Sequence, residues 1–214
     1  MPVGPCRYCL NTKPLIEAHI IPKGFFKRIE GNGPNYILDE DNHPRKSRKG
    51  YYDTGILCGG CDNKIGLWDD YAQIILTMDM SGFRRIRGPE GIGGWDHYSC
   101  DYQKLKLFFI SLLWRASISK LAAFKKIDIG PWEDVARGMM MADDPGDAQA
   151  FTVILTRFTE VFGHSFFDPH MQNIEGIQYG RFYMAGFQAF IKQARDHRHF
   201  SKKLFCVKGI RCGL

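Results

Sequence analysis

Two short cysteine pairs, Cys6-Arg7-Tyr8-Cys9 and Cys58-Gly59-Gly60-Cys61, restrict the fold of this chain more than any other feature of it. Each pair sets two sulfurs on one side of a tight turn, and two such knuckles can close a tetrahedral four-thiolate zinc site. Gly59 and Gly60 relieve backbone strain inside the second knuckle, and Pro5 favours an extended approach to the first. The plainer alternative is a set of buried or paired cysteines. Seven cysteines is an odd count, and with four of them in knuckles it favours metal thiolates in a reducing compartment over a disulfide framework.

At 214 residues the chain makes one large domain or two small ones, and 44% hydrophobic with 14% aromatic residues describes a globular protein. The net charge of +6 suits a nucleic-acid partner without requiring one. The start, Met1-Pro2-Val3-Gly4-Pro5, lacks the basic residue and apolar run of a signal peptide. The most apolar run, residues 107–114, falls well short of the ~20 residues a membrane helix needs, and Arg115 follows it. A soluble, cytoplasmic protein with no membrane partner is expected.

Between the knuckles, residues 15–21 are rich in β-branched side chains and stopped by Pro22, which predicts a short strand with His19 near its end. Strand alternation puts Glu17 and His19 on one face and Ala18 on the other. Residues 31–35 predict a turn and 36–38 a strand. Arg45, Lys46, Arg48 and Lys49 fall on a predicted loop that can grip phosphates, with a solvated loop as the alternative. Residues 51–57 predict a second strand leading into the second knuckle. After it, Ile65, Leu67, Trp68, Tyr71, Ile74 and Ile75 recur at helical spacing, and Asp62 stands where it can cap that helix. The result is a ββα unit stapled by zinc.

Glycines with Arg84, Arg85 and Arg87 make residues 81–100 a connecting segment. Residues 101–126 predict one long helix with a buried stripe, in which Trp114 and Arg115 are assigned to packing and surface pairing. A second helix runs from Pro131 to about Ala142, and residues 151–155 and 177–190 predict strands. His164 and His170 flank a predicted turn at residues 166–169, and the tail from Lys192 onward is basic. The organisation expected is therefore α+β: residues 1–80 a zinc-stapled unit, 81–100 a connection, and 101–214 a helix-rich accessory domain.

The succession Cys-x-x-Cys, then Ala18-His19-Ile20-Ile21-Pro22, then Tyr52-Asp53 and Ile56-Leu57-Cys58-x-x-Cys61-Asp62-Asn63-x resembles the HNH endonucleases, a family of zinc-stapled ββα-metal nucleases. The resemblance covers roughly residues 6–76. It implies a structural Zn²⁺ on Cys6, Cys9, Cys58 and Cys61, with His19 as general base on the attacking water. It implies Asp53 as the group orienting the imidazole, Asp62 as a ligand to a catalytic Mg²⁺ or Mn²⁺, and Lys64 among the nucleic-acid contacts. Many family members carry an acidic metal ligand where this chain has Ala18, and Glu17, one residue away, is the candidate replacement. The activity implied is hydrolysis of DNA, with RNA not excluded and a protein partner possible through the accessory region. The alternatives are a zinc module that holds nucleic acid or a protein without cleaving, and an effector subunit active only with a partner.

Overall fold

The computed structural model describes residues 2–26, 36–38, 44–46, 50–78, 82–88, 91–97, 99–157, 166–184, 186–193 and 209–212. Its first knuckle forms the tip of a hairpin between β1 (Val3–Pro5) and β2 (Thr12–Pro14), paired antiparallel with Pro5 opposite Thr12. The Cys6 amide donates to the Asn11 carbonyl and the Leu10 amide to the Cys6 carbonyl, and Leu10 takes a left-handed φ of 62° to close the turn.

Strand β3 (Ala18–His19) is shorter than the strand expected over residues 15–21, because the chain turns at Pro22 into the short helix α1 (Lys23–Phe26). Strands β4 (Tyr36–Leu38) and β5 (Pro44–Lys46) pair antiparallel, so Arg45 and Lys46 stand on a strand and not on a loop. Strand β6 (Tyr52–Asp53) pairs antiparallel with β3, setting Ala18 opposite Asp53 and His19 opposite Tyr52.

Helix α2 (Gly59–Gln73) starts inside the second knuckle. Cys58 is its N-cap, without a side-chain cap bond, and the amides of Cys61 and Asp62 both donate to the Cys58 carbonyl. Asp62 thus lies within the first turn instead of capping it, and the metal knuckle and the helix N-terminus are one structure. Ile65, Trp68 and Ala72 carry the buried face, while Leu67 and Ile74, counted in the apolar stripe, point to solvent. The helix runs on as a π-helical turn, Ile74–Met78.

Where a connecting segment is expected, β7 (Phe83–Gly88) and β8 (Gly91–His97) form an antiparallel pair. Helix α3 (Tyr102–Ile118) begins at Asp101, whose carboxylate accepts the Lys104 amide at 3.1 Å. It stops before residue 126 because serine hydroxyls near its end take bonds outside the helix: Ser117 Oγ accepts the Ile129 amide, and Ser119 Oγ donates to Asp53. Helix α4 (Trp132–Ala142) follows the predicted bounds, from Pro131 to Asp143, which turns left-handed at φ 54° and donates its amide to Met139 and Met140 carbonyls.

The remaining strands are β9 (Val153–Arg157), β10 (Phe166–Phe167), β11 (His170–Ile174), β12 (Ile177–Met184), β13 (Phe187–Lys192) and β14 (Gly209–Cys212). Four of them make an antiparallel sheet in the order β11-β12-β13-β9, while β10 joins β4 and β14 joins β8, both parallel. Residues 166–167 are therefore strand, not turn. Helices and sheets together make the chain α+β. Helix α3 is buried nearly all round rather than along a stripe, as befits a helix packed on several sides at once. It lies against α2, α4 and β13, and Leu113 fills the space above Gly180, where an added Cβ would collide with it. A single buried cluster runs from Cys6 to Ile191, so described residues from both sides of the β7–β8 pair contribute to one core. Among the described residues no helix is long and apolar enough to cross a membrane.

Lys106 is 4% exposed in this helix and donates from Nζ to the Asp147 carbonyl at 2.7 Å. Burial lowers its pKa to about 8, against the opposing pull of Asp147 and Asp144. Between about pH 8 and the ordinary lysine value of 10.5 the unfolded chain holds a proton that the folded chain has released, so folding stability rises with pH across that window. Relative to Lys106→Met, whose side chain does not titrate, the wild-type protein should gain on the order of 1–2 kcal/mol from pH 8 to pH 10. Urea unfolding of both proteins at the two pH values reads the difference directly.

Candidate metal centre and the adjoining cleft

The sulfurs of Cys6, Cys9, Cys58 and Cys61 all lie within 4.8 Å of one another, with Cys6, Cys58 and Cys61 buried and Cys9 half-buried. A tetrahedral zinc with bonds of about 2.3 Å separates its sulfurs by about 3.8 Å, so this cluster is the right size for one ion. None of the four is in a disulfide. The arrangement is fixed from several sides: the Arg7 amide donates to the Ile56 carbonyl, the Ile16 amide to the Leu57 carbonyl, and the Cys58 amide to Cys6 Sγ at 3.4 Å. The Asn11 amide holds Cys9 down to about 7, close to a thiolate, while burial among the other three sulfurs pushes Cys61 up. Four sulfurs crowded out of water favour a cation that neutralises them together.

Beside the cluster lies an open cleft of about 260 Å³, lined by His19, Pro22, Lys23, Gly24, Asp62, Gly66, Asp69, Asp70 and Gln73. One wall is the end of β3 with the start of α1. The opposite wall is α2, whose Asp62, Gly66, Asp69 and Gln73 recur at three- and four-residue spacing and so share one face. Burial lowers the His19 pKa below its ordinary value, Asp62 opposing and Lys23 and Arg115 adding to the fall, so the imidazole is neutral at neutral pH. Burial raises Asp62, with Arg115 and His19 opposing. A neutral imidazole facing a carboxylate across an open cleft can take a proton from a water bound there.

No protein-family model, curated protein or solved structure matches this chain. Its site is read from its own residues.

Of the residues singled out in the sequence, the fold brings the four cysteines to one point and sets His19 and Asp62 on one cleft. Asp53 goes elsewhere. Paired residues of an antiparallel ladder share a face, so Asp53 stands with Ala18, and His19 with Tyr52, whose ring centroid lies 6.4 Å away. The Asp53 carboxylate accepts from the Gly55 amide at 2.8 Å, Ser119 Oγ at 2.8 Å and the Lys120 amide at 3.2 Å, which makes it the anchor for the end of α3 and not the group that orients the imidazole. Glu17 is exposed and outside the cleft lining, because β3 begins only at Ala18. Lys64 is also committed: its Nζ donates to the Met141 carbonyl at 3.2 Å and sits 5.6 Å from the Tyr8 ring centroid, bracing α2 against α4. The side chains of Arg45 and Lys46, and all of Arg48 and Lys49, lie outside what the structure describes.

Sequence reasoning missed Asp69 and Arg115. Arg115 is buried on α3, and its guanidinium meets Asp69 Oδ2 at 2.8 Å and Oδ1 at 2.7 Å. Burial pushes the Asp69 carboxyl up and the guanidinium pulls it back. Removing one member of a buried pair of this kind costs about 3–5 kcal/mol. The signal in the sequence was a lone charge following the most apolar run of a helix.

Tyr8 sits inside the first knuckle, donates to the Met140 carbonyl at 2.8 Å and meets the edge of Trp114 at 6.0 Å between centroids, so collapse of the metal cluster reaches α3 and α4 directly. Elemental analysis should find one zinc per chain, and stripping it with a chelator, or Cys58→Ser, should lower the melting temperature by more than 10 °C and shift tryptophan emission to the red. Metal-free protein with an unchanged melting curve would contradict the assignment.

Proposed function

We propose that this protein is a metal-dependent endonuclease of the HNH type that hydrolyses phosphodiester bonds in DNA, with His19 as general base. The observation that carries the reading is the shared cleft: a half-buried histidine from β3, whose burial favours the neutral form, lines it together with Asp62 from α2, the helix that a four-cysteine cluster ties to the β1–β2 hairpin. His19 would take the proton of the attacking water, which is the step a phosphodiester needs first. With Asp69 paired to Arg115, the cleft sets Asp62 and Asp70 against Lys23, so a polyanion approaching it meets a net negative charge until a cation offsets it. A divalent ion on Asp62, oxygen-bound as Mg²⁺ or Mn²⁺ prefers, would supply that offset and stabilise charge developing on the phosphate.

One observation favours the second reading, a zinc module that binds nucleic acid or protein without cutting. Among the described residues the four cysteines are the one group of three or more ligand atoms gathered closely enough to hold a metal, and Ala18, at the position where many HNH nucleases carry an acid, is fully buried. Incubating zinc-loaded protein with supercoiled plasmid and Mg²⁺ or Mn²⁺ separates the two. Nicking should depend on the divalent ion and fall at least 100-fold in His19→Ala and in Asp62→Ala, consistent with loss of a general base or metal ligand. Asp53→Asn should keep turnover per folded molecule and lose only stability. Equal nicking by wild type and His19→Ala, or tight DNA binding with no cutting, would leave the binding-module reading standing.

A further inference from the structure

Helix α3 lies beyond the segment that carries the cleft, yet its Arg115 reaches both walls of it. All five guanidinium N–H groups have partners: Nε on the Ser111 carbonyl at 3.3 Å, one terminal nitrogen on the His19 carbonyl and Asp69 Oδ2, both at 2.8 Å, and the other on Asp69 Oδ1 at 2.7 Å and Ser111 Oγ at 3.2 Å. The Arg115 side chain is 1% exposed and that of Asp69 13%. A single cation therefore holds the backbone of the residue proposed as base and the helix that carries Asp62.

Strand β3 is only two residues long; the peptide unit after His19 is held on one edge by the Ile20 amide, which donates to the Tyr51 carbonyl at 2.9 Å, and on the other by Arg115, which donates to the His19 carbonyl at 2.8 Å, and these two bonds together fix the direction of that carbonyl. That direction sets the Cα–Cβ vector, and with it the aim of the imidazole. Asp69 follows Asp62 by two helical turns on the same face of α2, so a grip on Asp69 also fixes the rotation of α2 about its axis. Ser111 Oγ, which donates to the Phe108 carbonyl at 2.8 Å, keeps the guanidinium from sliding along α3.

We infer that Arg115 is the positioning residue of this cleft: its guanidinium clasps the His19 carbonyl and the Asp69 carboxylate, and so sets the spacing between the His19 imidazole and Asp62. The inference deepens the nuclease reading and rests on it for its catalytic consequence, while its geometric content is independent of any activity. A planar fork is required because two partners lie on different elements and a third, Ser111, on its own helix; a lysine ammonium keeps the charge but cannot span them.

The decisive variant is Arg115→Lys, with Asp69→Asn as a second that keeps volume while breaking the two-pronged contact should the first not fold. Zinc content and the far-ultraviolet circular dichroism spectrum establish that each is folded. In nicking assays, kcat should fall 10- to 100-fold with KM for plasmid within twofold of wild type, the magnitude seen when groups that orient a reacting side chain are removed. A folded Arg115→Lys protein with wild-type kcat, or with its loss confined to KM, would overturn the inference. A second readout needs no activity: the His19 ring carbon-proton resonance, assigned with His19→Gln, should shift or split in both variants while those of His97 and His170 stay in place. If the wild-type protein does not cut DNA, the nuclease reading fails alone, and the His19 resonance still decides the clasp, an unchanged resonance in a folded variant refuting it.

Discussion

Four sulfurs from two distant turns held within 4.8 Å of each other is the constraint from which the rest of this molecule follows. The cluster ties the β1–β2 hairpin to the start of α2, and because Cys58 is itself the cap of that helix, α2 has a fixed origin and heading. Leu15 pairs with Cys58 across an isolated bridge, which brings the chain leading into β3 alongside the same knuckle. His19 and Asp62 meet across the cleft because each sits a few residues from one of these anchor points. A bound ion would thus position the cleft without entering it.

The second tie comes from α3. Its interior faces bury Leu, Phe and Trp side chains against α2, α4 and the four-stranded sheet, and burial of that much apolar surface dominates the stability of the assembled chain. Into this apolar setting α3 carries one guanidinium, which is tolerable only because every donor on it is met. Asp53 repeats the pattern on a smaller scale, holding the far end of α3 through Ser119 and Lys120. The four-cysteine cluster, the cleft and the four-stranded sheet are therefore tied together by α3 and the core it shares with them.

Local chemistry made some of this legible in the sequence. The knuckle spacing, the bounds of α4 between Pro131 and Asp143, and the strands within residues 177–190 are each written in a few neighbouring residues. What stayed hidden depends on partners far along the chain. The β7–β8 pair reads as a glycine-rich loop because its third strand, Gly209–Cys212, lies more than a hundred residues onward. Asp53 reads in the sequence as a partner of His19 because the ladder register, which a shift of one residue would reverse, is set by tertiary packing. Arg115 reads in the sequence as a residue of packing and surface pairing because charge usually marks solvent, and the carboxylate that admits it to the interior stands on another helix.

The nuclease proposal requires the sulfur cluster and the cleft to be two separate metal positions, one building the other. Crystals of zinc-loaded protein soaked with Mn²⁺ test it most directly, through anomalous scattering recorded at the zinc and manganese edges. The account predicts a zinc peak among Cys6, Cys9, Cys58 and Cys61 and a manganese peak in the cleft, about 2 Å from an Asp62 oxygen and on the side facing His19. No zinc among the sulfurs, or manganese that avoids Asp62 while occupying sites elsewhere, would contradict it.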